Sequence, residues 1–226
     1  MKIKQLRLYT DKLVEEKQFY LNILGFTILE QTSNYFTVRI GYSELTFIRT
    51  NQRHIYHYCF LIPSNKLNEA IQWAENRVSI ITIEDGRRIQ HFESWNAESF
   101  YFYDASGNIV EFIVRYGLNN YSFEPFSIDS VLCVNEIGLP TVDISKLNNK
   151  LETRLGTKFW KGNFESFGTN GSENGLFLMP NYHLKDTWFP TNLKIKPERF
   201  EITIENDDIS YYLTHRDEEV SIVRLH

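Results

Sequence analysis

Cysteine is scarce. Cys59 and Cys133 are the two thiols in 226 residues, and they do not form a CxxC pair. Each sits in an apolar run, Tyr58-Cys59-Phe60 and Leu132-Cys133-Val134. This argues against a disulfide framework and fits buried free thiols in a reducing compartment. No apolar run reaches the ~18 residues that a membrane-spanning helix needs. No Lys/Arg block stands out and the formal net charge is −5, which disfavours a surface that tracks nucleic-acid phosphates. There is no GxSxG elbow and no Cys–His nucleophile signature, and no Lys-Ser/Thr follows the Gly-rich stretch 168–175. Residues 3–10 alternate like a strand rather than reading as a signal peptide, so the cytoplasm is the expected compartment. Aromatic residues are abundant, with 17 Phe and 13 Tyr, and such side chains suit half-buried strands and pocket walls.

The hydrophobic pattern reads as a repeat. Residues 3–9 alternate, with Leu6 and Leu8 on one face and Gln5, Arg7 and Tyr9 on the other. Val14, Phe19, Tyr20, Ile23 and Leu24 predict a helix over 14–24, stopped by Gly25. Strands are expected at 26–31, 35–40 and 44–49, giving a βαβββ unit. The order recurs: a strand at 56–62, a helix over 65–76 with Ser64 as its cap, and strands near 79–84, 89–93, 100–103 and 109–115. A linker at 117–127 follows. A third unit has a strand at 131–139, an Asp143-capped helix over 144–155 ended by Gly156, a loop at 168–175 and a strand at 176–179. Strands at 200–205 and 220–225 close the chain with no helix between them, so about three and a half units are expected.

Three segments resemble the vicinal-oxygen-chelate superfamily, the glyoxalase/bleomycin-resistance/dioxygenase-like proteins. They are Phe19-Tyr20 ahead of Leu24-Gly25-Phe26, the run Tyr56-His57-Tyr58-Cys59-Phe60, and Asp104-Ala105-Ser106-Gly107-Asn108-Ile109-Val110-Glu111. The resemblance implies an α+β fold in which βαβββ units pair into curled mixed sheets around a concave cleft, with helices outside. It implies a first domain at 1–116 made of two units, and a second, degenerate domain of the same type at 128–226 with a truncated last unit.

The resemblance also implies metal ligands at Gln5, Glu44, His57 and Glu111. One imidazole, one amide oxygen and two carboxylates suit a divalent ion such as Zn, Ni, Fe or Mn. Such an ion polarises a substrate oxygen, and Glu44 or Glu111 then serves as the general base. Strand parity places each of the four opposite large apolar neighbours, so they converge on one cleft if those apolar faces pack under helices. In the second half the matching first-strand position falls near Glu136, and the strand at 176–179 offers no carboxylate. A ring-cleaving iron dioxygenase is disfavoured, because Gln5 stands where its first His is expected.

The functional expectation is therefore a glyoxalase-like, metal-dependent lyase or isomerase acting on a small oxygenated substrate. The rival is a metal-free, antibiotic-type protein that sequesters a flat aromatic or cationic small molecule. A small-molecule partner is expected under either reading, with neither nucleic acid nor membrane, and a homodimer is open. Trp95 and Trp188 fall in polar or loop-like segments, where tryptophan either lines a pocket or pins a loop to the core. His91 and His183 have no partner visible in the sequence.

Overall fold

The computed structural model describes residues 1–225. Unit one consists of β1 (Lys2–Thr10), α1 (Leu13–Gln18), β2 (Ile28–Gln31), β3 (Tyr35–Ile40) and β4 (Ser43–Arg49). Helix α1 runs on into a π-turn at Phe19–Ile23, and the chain then turns at Gly25, whose φ of 86° suits glycine. Unit two contains β5 (His57–Leu61), α2 (Leu67–Glu75), β6 (Gln90–Phe92), β7 (Ala97–Tyr103) and β8 (Ile109–Arg115). Unit three contains β9 (Cys133–Gly138), α3 (Ile144–Leu155), β10 (Phe159–Gly162), β11 (Phe167–Ser172) and β12 (Gly175–Pro180). Unit four has no helix among its described residues and is the meander β13 (Phe200–Asn206), β14 (Ile209–Arg216) and β15 (Glu219–Arg224). No helix among the described residues is long and apolar enough to cross a membrane.

The strands form two mixed sheets. One has the order β15-β14-β13-β1-β4-β3-β2, and the other β10-β11-β12-β9-β5-β8-β7-β6. Units thus join through their first strands: β1 runs antiparallel to β13, and β5 antiparallel to β9. The first unit pairs with the fourth and the second with the third, rather than the first with the second. The path of the chain accounts for this. It leaves β8 at Arg115 and returns along the open edge of β5, where the Leu132 N–H already bonds the Leu61 carbonyl. That edge is then filled by β9, and the open edge of β1 is left for β13. Each sheet consequently draws strands from both sides of the 117–127 segment.

The apolar faces of both sheets meet in one core. Leu6, Leu8, Leu45 and Phe47 from the first sheet share it with Tyr58, Phe60, Val110 and Phe112 from the second. Leu67, Ala70, Ile71 and Ala74 of α2 and Leu147, Leu151 and Leu155 of α3 belong to the same core. The residues that carried the family resemblance tie units one and two together here. Tyr20 Oη and Tyr58 Oη lie 2.5 Å apart, and Tyr58 donates to Asp104 at 2.6 Å. Asp104 in turn accepts from the backbone N–H groups of Ser106 and Asn108 and so shapes its own turn. Glu16, fully buried on α1, accepts from the Ser106 N–H at 2.8 Å.

Local expectations fared unevenly. Asp143 caps α3 through the Lys146 N–H at 2.9 Å, and Gly156 ends it with φ 71°. Ser64 does not cap α2. The Lys66 N–H turns back to the Pro63 carbonyl, so the helix starts later, at Leu67. Residues 79–84 are not a strand; one isolated bridge, Ile80 to Phe102, holds them. The stretch 168–175, expected to be a loop, is mostly strand β11 and its hairpin turn into β12.

Candidate functional site

The four expected ligands form two pairs rather than one centre. On the first sheet Gln5 Nε2 donates to Glu44 Oε2 at 2.9 Å, and Thr203 donates to Gln5 Oε1 at 3.3 Å. On the second sheet His57 Nε2 lies 3.1 Å from Glu111 Oε2. Parity was read correctly within each strand. The sheets, however, share a core between their apolar faces, so their polar faces point away from each other. Gln5 and Glu44 therefore lie on one outer face, and His57 and Glu111 on the other.

The second sheet carries the cleft. His57 (β5), Phe92 (β6), Tyr101 (β7), Glu111 (β8), Glu136 (β9), Phe167 (β11) and Leu178 (β12) all line it. Side chains from seven strands of one sheet surround a single cavity only if the sheet curls. The cleft measures about 280 Å³, at the small end for small-molecule sites. The segment between β12 and β13 closes one side with Lys185, Trp188 and Phe189. Trp188 is held there by its backbone N–H, which donates to the Leu193 carbonyl at 2.9 Å, and its indole rests on Gly138. A Cβ on Gly138 would stand 2.4 Å from the Trp188 ring, so glycine makes the room for it.

Most of the wall is aromatic. Phe92 stacks on Trp95 with centroids 5.4 Å apart, Trp95 lies near-parallel to Phe167 at 6.5 Å, and Trp188 covers the His57 imidazole at 5.2 Å. Beneath them lie buried polar groups. Arg115, fully buried, pairs with Glu136, donates to Asn135 at 2.9 Å and lies against both the Trp95 and the Trp160 rings, 5.8 and 5.3 Å from their centroids. Burial nonetheless pushes the Glu136 carboxyl up to about 8, against the favourable charge of Arg115 and with the Glu111 charge adding to the rise. Burial, with the Glu111 charge adding to it, also keeps the Tyr101 phenol protonated. The Cys59 thiol is likewise pushed well up by burial and the nearby Glu111 and Glu136 charges.

The donors here differ from the expected ligand set. Four of the strand residues that line the cleft are His57, Glu111, Glu136 and Leu178. Leu178 offers no donor, Glu136 is held by Arg115, and His57 Nδ1 is buried without the hydrogen-bond partner that usually orients a metal-bound imidazole. The set does not fit a four-ligand centre. A smaller group remains: ligand atoms of Cys59, Glu111 and Glu136 lie within 4.8 Å of one another.

Sequence reasoning found His57 and Glu111 and marked Glu136. It singled out Trp95 and Trp188 as either pocket or pin, and Trp188 is both. It missed Phe167, just ahead of the supposed loop, and Lys185, which stands in no pattern.

The architecture is of a known class: mixed sheets built from βαβββ units, the α+β fold expected of the vicinal-oxygen-chelate superfamily. A solved structure from Bacillus subtilis subsp. subtilis str. 168, named a "putative dioxygenase", aligns over 99% of this chain and 84% of its own, with TM-score 0.65 and 13% identity. A lactoylglutathione lyase from Agrobacterium tumefaciens aligns over 50% of this chain and 92% of its own, with TM-score 0.43 and 17% identity. No protein-family model matches the sequence, and no curated protein does. At these identities the likeness is one of fold, and fold does not carry a reaction with it.

Proposed function

We propose that the protein binds a planar aromatic small molecule in the cleft of units two and three, with His57 and Glu111 beneath it as a pair able to exchange a proton with the ligand. The observation that carries this reading is the lining: six rings, from Phe92, Trp95, Tyr101, Phe167, Trp188 and Phe189, surround a cavity of about 280 Å³. Flat apolar walls favour flat ligands, and each ring contributes stacking beyond the area it covers. The size suits one or two fused rings. Titration calorimetry with naphthalene derivatives tests it. Saturable binding is expected, weakened at least about tenfold by Trp188→Ala, since a stacked aromatic anchor is commonly worth more than ~1.4 kcal/mol. Binding that Trp188→Ala and Trp95→Ala leave untouched would overturn it.

A second reading, a glyoxalase-type enzyme with a divalent metal, is favoured by the Cys59, Glu111 and Glu136 group with His57 beside it. Elemental analysis after exposure to Ni, Zn, Fe and Mn separates the two readings. Near-stoichiometric metal that is lost in a His57→Ala, Glu111→Ala variant would favour the enzyme. No retained metal would leave the binding protein.

A further inference from the structure

We infer that the molecule held in this cleft is a planar aromatic anion of the aromatic-carboxylate class, its negative group taken up by Lys185. The inference rests on the binding reading above. It follows from asking which polar groups around the cleft are already committed.

Both carboxylates are. Glu136 is paired with the buried Arg115, and Glu111 lies 3.1 Å from His57 Nε2. Neither is left free to draw a cation into the ring of aromatics, as an open carboxylate in an aromatic cage would. Two of the groups left uncommitted, Lys185 Nζ and Trp188 Nε1, are donors. Lys185 lines the cleft with its Nζ 5.2 Å above the Phe167 ring, and it has no carboxylate partner among the described residues. Burial lowers the pKa of its ammonium, a sign that the charge has lost part of its water without gaining a counter-ion. Trp188 Nε1 is buried with no partner among the described residues, and an indole N–H can only donate.

Lys185 is also held in place. Its backbone N–H bonds the Asn181 carbonyl at 2.8 Å, and the segment is pinned further on by the bridge between Thr187 and Lys194. A ligand whose rings stack in the cleft therefore meets an ammonium already positioned and short of a partner. A neutral ligand leaves that charge unmet. A cationic ligand is repelled by it.

Three probes with the same rings and different charge test this: 2-naphthoate, 2-naphthamide and 2-naphthamidine, measured by calorimetry on the full chain. Naphthoate is expected to bind tightest and naphthamidine weakest. Lys185→Met should weaken naphthoate about tenfold, the size of one hydrogen bond to a charged group. It should leave naphthamide unchanged, and Lys185→Arg should restore naphthoate. The inference is overturned if naphthamide or naphthamidine binds wild type as tightly as naphthoate does, or if Lys185→Met weakens all three alike. The two readings fail differently. Charge-blind binding that is still lost in Trp188→Ala sinks this inference alone, whereas no binding of any probe sinks the aromatic cleft with it.

Discussion

On the outer face of the first sheet, Arg7 holds Glu201 at 2.9 Å with 44% and 23% of the two side chains exposed. On the outer face of the second, Arg115 holds Glu136 with 0% and 2% exposed. Both ion pairs sit on a polar sheet face next to a first-strand seam, in sheets built from the same unit. The difference lies in what stands over them. Arg7 and Glu201 stay partly open to solvent. Two tryptophan rings lie over Arg115, and unit three with the segment beyond β12 closes over Glu136. The same frame thus yields a solvated surface or a site according to which aromatic side chains the flanking strands and loops supply.

The largest expected effect tests that contrast directly. At pH 9, above the wild-type Glu136 pKa of about 8, Arg115→Met strips a buried carboxyl of its counter-ion, so that it either stays charged and unpaired or takes up a proton, and should cost about 3–5 kcal/mol in urea unfolding. Arg7→Met should cost about 1 kcal/mol or less, because water screens the pair it breaks. Equal losses would mean that the two faces are energetically alike. The two acids should also respond to pH with opposite sign. Glu136 has a folded pKa raised from 4.5 to about 8, so it contributes stability below pH 4.5 that is lost as pH climbs through about 8. For Glu201, burial acts upward, but hydrogen bonds from Tyr9 and Tyr212 and the charge of Arg7 outweigh it and leave the pKa below 4.5. Its contribution is present above pH 4.5 and fades as pH falls. Glu136→Gln should flatten the alkaline side of the stability profile, and Glu201→Gln the acid side; parallel profiles in either case would refute the assignment.

Smaller, and aimed at the roof of the cleft, is Gly138→Ala. The added methyl meets the Trp188 ring at 2.4 Å, so the indole must shift. Overpacking of this kind costs about 1–3 kcal/mol. Aromatic ligand binding should weaken together with stability. Retained affinity in a destabilised variant would separate Trp188 from the ligand.

The same contrast governs what the sequence disclosed. Elements with strong local signals were legible: the alternation of β1, the stripe of α3 between Asp143 and Gly156, and the repeat of βαβββ order. Hairpins turned by residues other than glycine were not. Asp207 and Asp208 have φ of 50° and 60°, and Asp217 and Glu218 have 51° and 65°, so acidic pairs make the tight turns around β14 and hide that strand. Which face of a strand a residue occupies is a local property, and for Gln5, Glu44, His57 and Glu111 it was read correctly. Which sheet that face belongs to is decided by strand partners distant in sequence, Thr203 opposite Gln5 and Glu136 opposite Cys59, and no pattern within a strand encodes them.

The weakest expected effect sharpens that point most. Gln5 and Glu44 satisfy each other on an open face, and Thr203 completes the chain of hydrogen bonds. Substituting either by Ala removes one solvent-accessible hydrogen bond and should change stability by no more than ~0.5 kcal/mol. Neither substitution touches the cleft, so calorimetric affinity for a naphthalene ligand should stay at the wild-type value. His57→Ala removes the imidazole under Trp188 and should lower it. If Glu44→Ala matched His57→Ala, the two outer faces would be acting as one site, and the division into a solvated sheet and a ligand-bearing sheet would fall.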